Sequence, residues 1–213
     1  MSGPVRVVHY LNQFFAGVGG EERAGVGVSV REGAVGPGRA LQPLLGEAAE
    51  IVGTVVCGDN AVSERPEETL RDITAELRRL GPDVVVAGPA FAAGRYGLAC
   101  AQVCRAARAL AIPALTAMHP DNPGALSFRR EALIVPTGES ATSMAAALQA
   151  LAPLALRLGR RDALGPAEVE GYLPQGRRRV WDRGRPGWER ALDMLRAKLD
   201  GRPFRTEVPY NAP

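Results

Sequence analysis

Short apolar runs alternate with helical patterns from the start of this 213-residue chain to about residue 160, and this alternation most constrains its fold. The apolar runs predict strands at residues 5–11, 50–57, 83–87, 114–118 and 132–135, and the segments between them predict helices at residues 38–45, 66–80, 95–110 and 140–158. Several runs are apolar throughout, as in parallel strands that are covered on both faces. Strand–helix alternation with short connections indicates βαβ units. We therefore predict an α/β three-layer sandwich with a mostly parallel sheet, flavodoxin-like or Rossmann-like.

The sequence changes character after residue 160, where a polar linker begins. We predict one α/β domain at residues 1–160, followed at residues 161–213 by a linker, a final helix and an extended proline-rich tail. The helix is expected at about residues 187–199, with Ala191, Leu192, Leu195 and Leu199 on one face. We expect this segment to pack on the domain or on a partner. The three arginines at residues 177–179 are most simply a solvated or partner-facing patch.

Composition excludes several classes of partner. The formal net charge of +3 is too small to indicate nucleic-acid binding. No run of about 18 apolar residues is present, so we expect no membrane-spanning helix. The amino terminus enters a strand without a charged and then apolar leader. Cys57, Cys100 and Cys104 are an odd number of cysteines without a disulfide framework. Together these features predict a cytoplasmic protein.

Polar, glycine-rich loops follow the predicted strands. The first loop contains the amide pair Asn12 and Gln13, a glycine cluster, and the adjacent carboxylates of Glu21 and Glu22. Later loops add an acidic residue, an Arg-Tyr pair and a histidine, namely Asp59, Arg95, Tyr96 and His119. The loops at the carboxyl ends of parallel strands gather at one edge of the sheet, where ligands usually bind. This edge is the predicted binding site, although a tight turn with a solvated charge pair also explains the first loop.

The cysteines and histidines leave structural and chemical interpretations open. Cys100 and Cys104 are four residues apart on one predicted helix, so they do not form the Cys-x-x-Cys of a thioredoxin-like or zinc site, and helix packing is favoured. Cys57 lies at the end of a predicted strand. It is either a small buried hydrophobic residue or a nucleophile. His9 is expected to be a buried core histidine, whereas His119 is an exposed loop histidine or a site residue. No phosphate-binding glycine motif occurs in a strand-to-helix context, and no metal site or cofactor is predicted.

Six segments together carry a family resemblance: residues 8–22, 36–38, 56–59, 87–91, 93–100 and 170–174. In residue order they resemble the glycine/sarcosine/betaine reductase component B family. The resemblance runs from about residue 5 to residue 209, and its first segment is long and specific. It implies that the α/β domain binds substrate.

The resemblance also implies that the reacting nucleophile comes from elsewhere. In that family, component B binds a small amino acid or its N-methylated relative, and a selenocysteine attacks the carbon that bears the nitrogen and expels the amine. The carbon is handed to a small selenoprotein, and thioredoxin-type reductants restore the system. The selenocysteine lies in a later selenocysteine-x-x-Cys-x-x-Cys pattern, which this sequence does not contain. We expect this chain to be the amino-terminal half, as a stand-alone subunit or a truncated piece, in a hetero-oligomer with a catalytic cysteine- or selenocysteine-containing partner subunit.

The matching segments also imply a substrate-facing surface. It comprises Asn12, Gln13, Glu21, Glu22, Cys57, Asp59, Arg95, Tyr96 and Cys100. From their charges, we expect Glu21 and Glu22 to hold the cationic nitrogen of the substrate and Arg95 to bind a carboxylate through two parallel hydrogen bonds. The amides of Asn12 and Gln13 would orient the substrate.

Three functions are compatible with these features. The first is a subunit of a reductase complex that cleaves a carbon–nitrogen or related carbon–heteroatom bond, inactive without its partner. The second is a non-catalytic small-molecule-binding or assembly protein that retains the fold. The third is an independent enzyme with Cys57 or Cys100 as its nucleophile, which is less favoured because a lone thiol is a poorer redox centre than a selenol with a resolving cysteine. His119 is the candidate for protonating the leaving amine.

Overall fold

The computed structural model describes residues 3–176 and 185–204. The strands are β1 (Val5–Asn12), β2 (Ser29–Glu32), β3 (Ala49–Cys57), β4 (Val84–Phe91), β5 (Ala114–Met118) and β6 (Leu133–Pro136). The helices are α1 (Gly38–Leu45), α2 (Asp59–Glu64), α3 (Pro66–Leu80), α4 (Gly94–Ala109), α5 (Pro123–Phe128), α6 (Met144–Gly159), α7 (Ala167–Glu170) and α8 (Gly187–Leu199). Short 3-10 turns lie at residues 21–23, 46–48 and 141–143.

The strands form one sheet in the order β2-β3-β1-β4-β5-β6. All neighbours pair in parallel except β2, which is antiparallel to β3. If the five parallel strands alone are numbered along the chain, their order is 2-1-3-4-5, which is the flavodoxin-like order. The prediction of a mostly parallel α/β sheet is confirmed, and of the two topologies left open the sheet has the flavodoxin-like one.

Helices cover both faces of the sheet and create two apolar layers. On one face, Ile73 and Leu77 of α3 pack with Val55 and Val85 of the sheet, together with residues of α4. The other face buries residues of α1 and α6 against the alternate positions of the same strands: Leu41, Leu45, Leu148, Leu151, Ile51, Val84 and Val86. The strands between the two layers are buried on both sides, which explains why most of their residues are apolar on both faces.

One helical stretch, Ala141–Gly159, is long and apolar enough to cross a membrane by length and composition alone. Core helices pass the same test. Leu148, Leu151 and Ala155 of this stretch are buried in the layer that covers the sheet. One side of this stretch therefore packs inside the fold, and 33% of its apolar window is buried.

His9 is fully buried in β1, as expected for a core histidine. Its Nε2 atom lies 2.6 Å from the carbonyl oxygen of Gly88, and that nitrogen must carry the proton because a carbonyl oxygen only accepts. Burial lowers the pKa of His9 from 6.5 to about 4, against the opposing effect of this hydrogen bond. The imidazole is therefore neutral at physiological pH, and its hydrogen bond joins the centre of β1 to β4.

The structure differs from the sequence prediction in a few elements. The edge strand β2 was not predicted, because its residues are exposed except for the half-buried Val30 and show no apolar run. Strand β4 continues to Phe91 instead of ending at residue 87, since Gly88 and Pro89 indicate a turn in sequence but lie within the strand. The short helices α2 and α5 lie in segments that were interpreted as loops.

The two edge strands of the sheet, β2 and β6, are protected from further strand pairing in different ways. Strand β2 has only four residues, and Arg31 and Glu32 are exposed on it. Along β6, the segment after α7 supplies hydrogen bonds: the Leu173 backbone N–H donates to the Ile134 oxygen at 2.7 Å. Nearby, Gln175 Nε2 donates to the oxygen of Ala132 at 3.1 Å.

The chain forms two compact units, Met1–Gly176 and Arg177–Pro213. In the first, Glu170 of α7 pairs with Arg157 of α6 and accepts the Gly165 backbone N–H at 2.6 Å, so the segment after residue 160 is tied to α6. Within the second, α8 has the predicted bounds. The arginines at residues 177–179 and the tail beyond residue 204 lie outside the described residues.

Candidate functional site

A cavity of ≈ 430 Å³ opens at the carboxyl ends of β1 and β4, where the order of the parallel strands reverses. This is the position at which open α/β sheets bind ligands, and the volume lies in the range of small-molecule sites. The lining residues are Asn12, Gln13, Phe14, Phe15, Gly20, Glu21, Asp59, Ala90, Phe91, Ala93, Gly94, Arg95, Glu139, Ser140 and Ala141. They come from the loops after β1, β3, β4 and β6, which the sequence placed at one edge.

The predicted amide pair shapes the cavity by tying the loop after β1 to the start of α2. Asn12 Nδ2 donates to Asp59 Oδ2 at 2.9 Å, and Asn12 Oδ1 accepts the Phe15 backbone N–H at 3.0 Å. Gln13 Oε1 accepts the Asp59 backbone N–H at 3.2 Å, and its Nε2 donates to the Gly20 carbonyl at 3.4 Å. Both amides are buried and use their donors and acceptors on the protein itself. Their effect on a ligand is therefore exerted mainly through the positions of the neighbouring groups.

Only one oxygen of the Asp59 carboxylate accepts a hydrogen bond from a described residue. The residue is 9% exposed, and its Oδ1 atom has no hydrogen-bond partner among the residues that the structure describes. Burial raises the pKa of Asp59, and the nearby Glu21 carboxylate adds to this, while the Asn12 amide and the Arg95 guanidinium act in the opposite direction. A buried carboxylate with a free oxygen is stabilised by a cationic or hydrogen-bond-donating ligand.

Arg95 and Glu21 pair across the mouth of the cavity. The guanidinium of Arg95 donates through one nitrogen to the carboxylate of Glu21 and through the other to Asn60 Oδ1, at 2.7 Å for the latter. Both charged side chains are more than half exposed, so the pair contributes little stability and a ligand can displace it at little cost. Glu22, in contrast, accepts the Gly20 backbone N–H at 2.9 Å and does not line the cavity.

Three phenylalanines form an aromatic wall on one side of the cavity. The rings of Phe14 and Phe15 meet edge to face with centroids 5.4 Å apart, and the Phe15 and Phe91 centroids are 6.2 Å apart. Phe14 is 64% exposed although it borders the cavity. Phe91 has a φ of 51°, a left-handed conformation that is unusual for a bulky residue and that clusters at functional sites. Ring faces next to carboxylates suit a cation that also carries apolar groups.

Asn122, in the loop after β5, holds this part of the wall in place. Its Nδ2 donates to the carbonyl oxygens of Phe91 at 2.8 Å and Ala93 at 3.1 Å, and its Oδ1 accepts the Gly124 backbone N–H at 2.8 Å. The residue is 2% exposed. A Cβ atom at Gly97 would lie 2.0 Å from the Asn122 Oδ1, so only glycine permits this close approach.

The remaining predicted site residues lie away from the cavity lining. Cys57 and Cys100 are buried, and burial raises the pKa of the Cys57 thiol to about 12 and that of the Cys100 thiol well above its ordinary value. Tyr96 is fully buried, and its ring centroid is 5.7 Å from that of Phe15, so it supports the wall from behind. His119 Nδ1 accepts the Asp121 backbone N–H at 3.3 Å. None of these four lines the cavity.

The structure thus brings five predicted residues together at the cavity: Asn12, Gln13, Glu21, Asp59 and Arg95. It also adds residues that the sequence reasoning missed, notably Glu139, Phe15, Phe91 and, behind the wall, Asn122. Only their position in the sequence could have indicated these residues, because each lies in or beside a loop at the carboxyl end of a predicted parallel strand. Within the described ranges, 3–176 and 185–204, no group of three or more His, Cys, Asp or Glu side chains is placed to hold a metal ion.

Comparisons with known proteins extend over almost the whole chain. A family model described as "Glycine/sarcosine/betaine reductase selenoprotein B" matches residues 4–212. The chain is 46% identical over 208 residues to the "Glycine reductase complex component B subunit gamma" of Carboxydothermus hydrogenoformans, covering 97% of this chain and 48% of that protein. It is 45% identical to the "Sarcosine reductase complex component B subunit beta" and 38% identical to the "Betaine reductase complex component B subunit beta" of Peptoclostridium acidaminophilum, with 96% of this chain and 47% of each relative covered.

No solved structure matches this chain. The chain spans about half the length of the curated relatives it matches. The similarity includes the loops that line the cavity and continues through α8, because the match ends only at residue 212. The family model covers nearly all of the sequence, and the chain therefore belongs to the glycine/sarcosine/betaine reductase selenoprotein B family.

Proposed function

We propose that this chain is a subunit of a reductase complex that cleaves the carbon–nitrogen bond, or a related carbon–heteroatom bond, of a small amino-acid-like substrate. The observation that carries the proposal is the family match over residues 4–212. Relatives bear the names of glycine, sarcosine and betaine reductase complex components, so the proposed role is that of an oxidoreductase subunit within a hetero-oligomer.

The cavity suits such a substrate in size and charge. The free Oδ1 of Asp59 and the carboxylates of Glu21 and Glu139 attract a cationic nitrogen, and the phenylalanine wall can contact methyl groups on it. Arg95 is the one basic side chain among the lining residues, so it is the group for a substrate carboxylate. In this arrangement the substrate carboxylate replaces that of Glu21 on Arg95.

The reacting nucleophile is proposed to come from a partner chain. An attacking thiol must be deprotonated and reachable, whereas the three cysteines of this chain are buried free thiols, with a pKa of about 12 for Cys57 and for Cys104. In the proposed reaction, a thiolate or selenolate of the partner forms a bond to the substrate carbon, and the carbon–nitrogen bond breaks with its electron pair leaving on the amine. The selenolate of a small selenoprotein then attacks the same carbon, and the bond from the carbon to the partner breaks with its electron pair returning to the partner's thiolate or selenolate. Release of the carbon from the small selenoprotein leaves that selenoprotein oxidised, and a thioredoxin-type reductant supplies the two electrons that restore it. Such thiol chemistry requires a reducing compartment, so we place the complex in the cytoplasm.

An amine-release experiment tests this proposal. The chain is co-expressed with the part of the Carboxydothermus hydrogenoformans relative that it does not match. The purified pair and the chain alone are then incubated with glycine, sarcosine or betaine and a thiol reductant. Release of ammonia, methylamine or trimethylamine is expected from the pair only. Release by the chain alone would contradict the assignment of the nucleophile to a partner. Substrate binding without amine release from either sample would instead favour a non-catalytic small-molecule-binding or assembly protein.

Two matched carboxylate variants test the cavity itself. Asp59→Asn removes the half-satisfied charge, and substrate binding measured by calorimetry should weaken about ten- to hundredfold, as for loss of a hydrogen bond to a charged group. Glu22→Gln is the control, since its carboxylate bonds within its own loop outside the cavity. Equal effects of the two substitutions would show that the ammonium group does not bind at Asp59.

A further inference from the structure

Helix α8 carries a stripe of exposed apolar side chains. Trp188, Leu192, Leu195 and Leu199 are 64%, 44%, 52% and 77% exposed. Their spacing of four, three and four residues places them on one side of the helix, within about 60° of arc at about 100° per residue. Alternating spacings of three and four residues are typical of the apolar side chains through which one helix packs lengthwise against another.

The sides of α8 away from the stripe carry one buried residue and a set of ion pairs. Ala197 lies on the opposite side of the helix and is only 8% exposed. On the flank, Arg185 bonds to Glu189 at 3.3 Å and to Asp193 at 2.7 Å, which fixes the start of the helix. The stripe and Ala197 lie on opposite sides of α8, so one flat surface cannot contact both.

The length of the related proteins indicates what covers the stripe. The family match extends through residue 212, so α8 belongs to the region that this chain shares with proteins about twice its length. In those relatives, more than half of the polypeptide lies outside the shared region. A row of exposed apolar side chains in a segment that the family match covers indicates a protein contact. Arg196 and Lys198 lie on either side of the stripe near its end, so the partner surface is expected to carry acidic residues beside its apolar seam.

We propose that the Trp188–Leu192–Leu195–Leu199 stripe docks an amphipathic helix of the polypeptide that supplies the part of the family's length not spanned by this chain. This inference rests on the proposed function for the identity of the partner. The contact it describes lies on α8, whereas the candidate site lies at the end of the parallel strands. Docking through α8 would give the two polypeptides a fixed association that does not depend on bound substrate.

The test co-expresses this chain with a tagged polypeptide that comprises the unmatched part of the Carboxydothermus hydrogenoformans relative. The chain has two tryptophans, so a Trp181→Phe background leaves Trp188 as its only tryptophan, and any tryptophan of the partner polypeptide is replaced by phenylalanine so that the emission reports Trp188 alone. We expect the chain to co-purify, with the emission of Trp188 shifted to the blue and protected from acrylamide relative to the chain alone. Leu195→Glu should reduce the co-purified amount at least about tenfold, as for a central interface residue. Leu44→Glu is the control, because Leu44 on α1 is 42% exposed, much like Leu192.

Each other outcome overturns the docking proposal. Co-purification with an unchanged Trp188 environment would mean that another surface binds the partner. Equal losses for the Leu195→Glu and Leu44→Glu variants would mean that the effect is not local to α8. A concentration-dependent blue shift in the chain alone, abolished by Leu195→Glu, would assign the stripe to a second copy of the chain. Amine release measured on the same samples separates the two proposals, since a docked but inactive pair contradicts the proposed function alone.

Discussion

Acidification should destabilise this protein through His9, a residue that the candidate site does not use. The ring is fully buried and neutral, and its pKa is lowered from 6.5 to about 4. Between these two pH values the unfolded chain binds a proton at this histidine and the folded chain does not. The free energy of unfolding therefore falls as the pH is lowered through this range. Each pKa unit corresponds to about 1.4 kcal/mol, so His9 should account for a loss of about 3 kcal/mol between pH 7 and pH 4.

His9→Gln is the substitution that isolates this effect, because glutamine does not titrate and keeps an N–H donor for the Gly88 carbonyl. Urea unfolding followed by circular dichroism at pH values from 4 to 8 gives the free energy of unfolding of both proteins. The wild-type value minus the variant value should become more negative by about 3 kcal/mol from pH 7 to pH 4. Thr54→Val is the control, because Thr54 is also fully buried in the sheet but does not titrate, so its effect on the free energy of unfolding should be the same at every pH. A His9→Gln difference that stays constant with pH would refute the reasoning.

Three further outcomes follow from the site. Asn122→Ala should lower the free energy of unfolding by about 2–3 kcal/mol in urea denaturation, because it leaves buried carbonyl groups of the cavity wall without their donor, and a loss below about 0.5 kcal/mol would contradict this role. Relative to the wild type, Asp59→Asn should gain stability as the pH rises through the raised pKa of Asp59 and keep a constant gain above it, because the ionised carboxylate is the unfavourable form in the fold. A thermal unfolding series in which the variant loses stability relative to the wild type with rising pH would oppose this. Cys57 and Cys100 should resist a thiol-labelling reagent in the native chain and react once it is unfolded in urea, and rapid native labelling would contradict their burial.

Much of the fold could be predicted from the sequence because the buried elements carry strong patterns. The bounds of α3 were predicted without error, since Pro66 fits the first turn and Gly81, at φ 55°, ends the helix in the left-handed conformation. The parallel strands could be recognised because burial on both faces makes most of their residues apolar. Strand β2 could not be recognised in this way, because it is short and largely exposed and its pairing with β3 is fixed by the return of the chain after the first loop.

The candidate site was predictable in place but not in detail. Strand order decides which loops meet, and the prediction that the loops after the parallel strands converge located the cavity. Pairing between side chains depends on distances that sequence does not contain. The contact of Arg95 with Glu21 and the turning of Glu22 toward its own loop are examples. The inward position of Phe91 likewise follows from its left-handed backbone, for which a phenylalanine gives no sequence signal.

The protected edge strands of the sheet restrict how this protein can assemble. An incoming strand needs a row of free backbone groups, and β2 offers only four residues, with charged side chains beside them. On the far side, the backbone of Leu173 already occupies the carbonyl of Ile134 on β6. Extension of the sheet by an added strand, and the edge-to-edge aggregation that accompanies exposed strands, are therefore disfavoured. The partner proposed above would therefore be recognised through helices and loops, and variants that impair its binding should map to those surfaces.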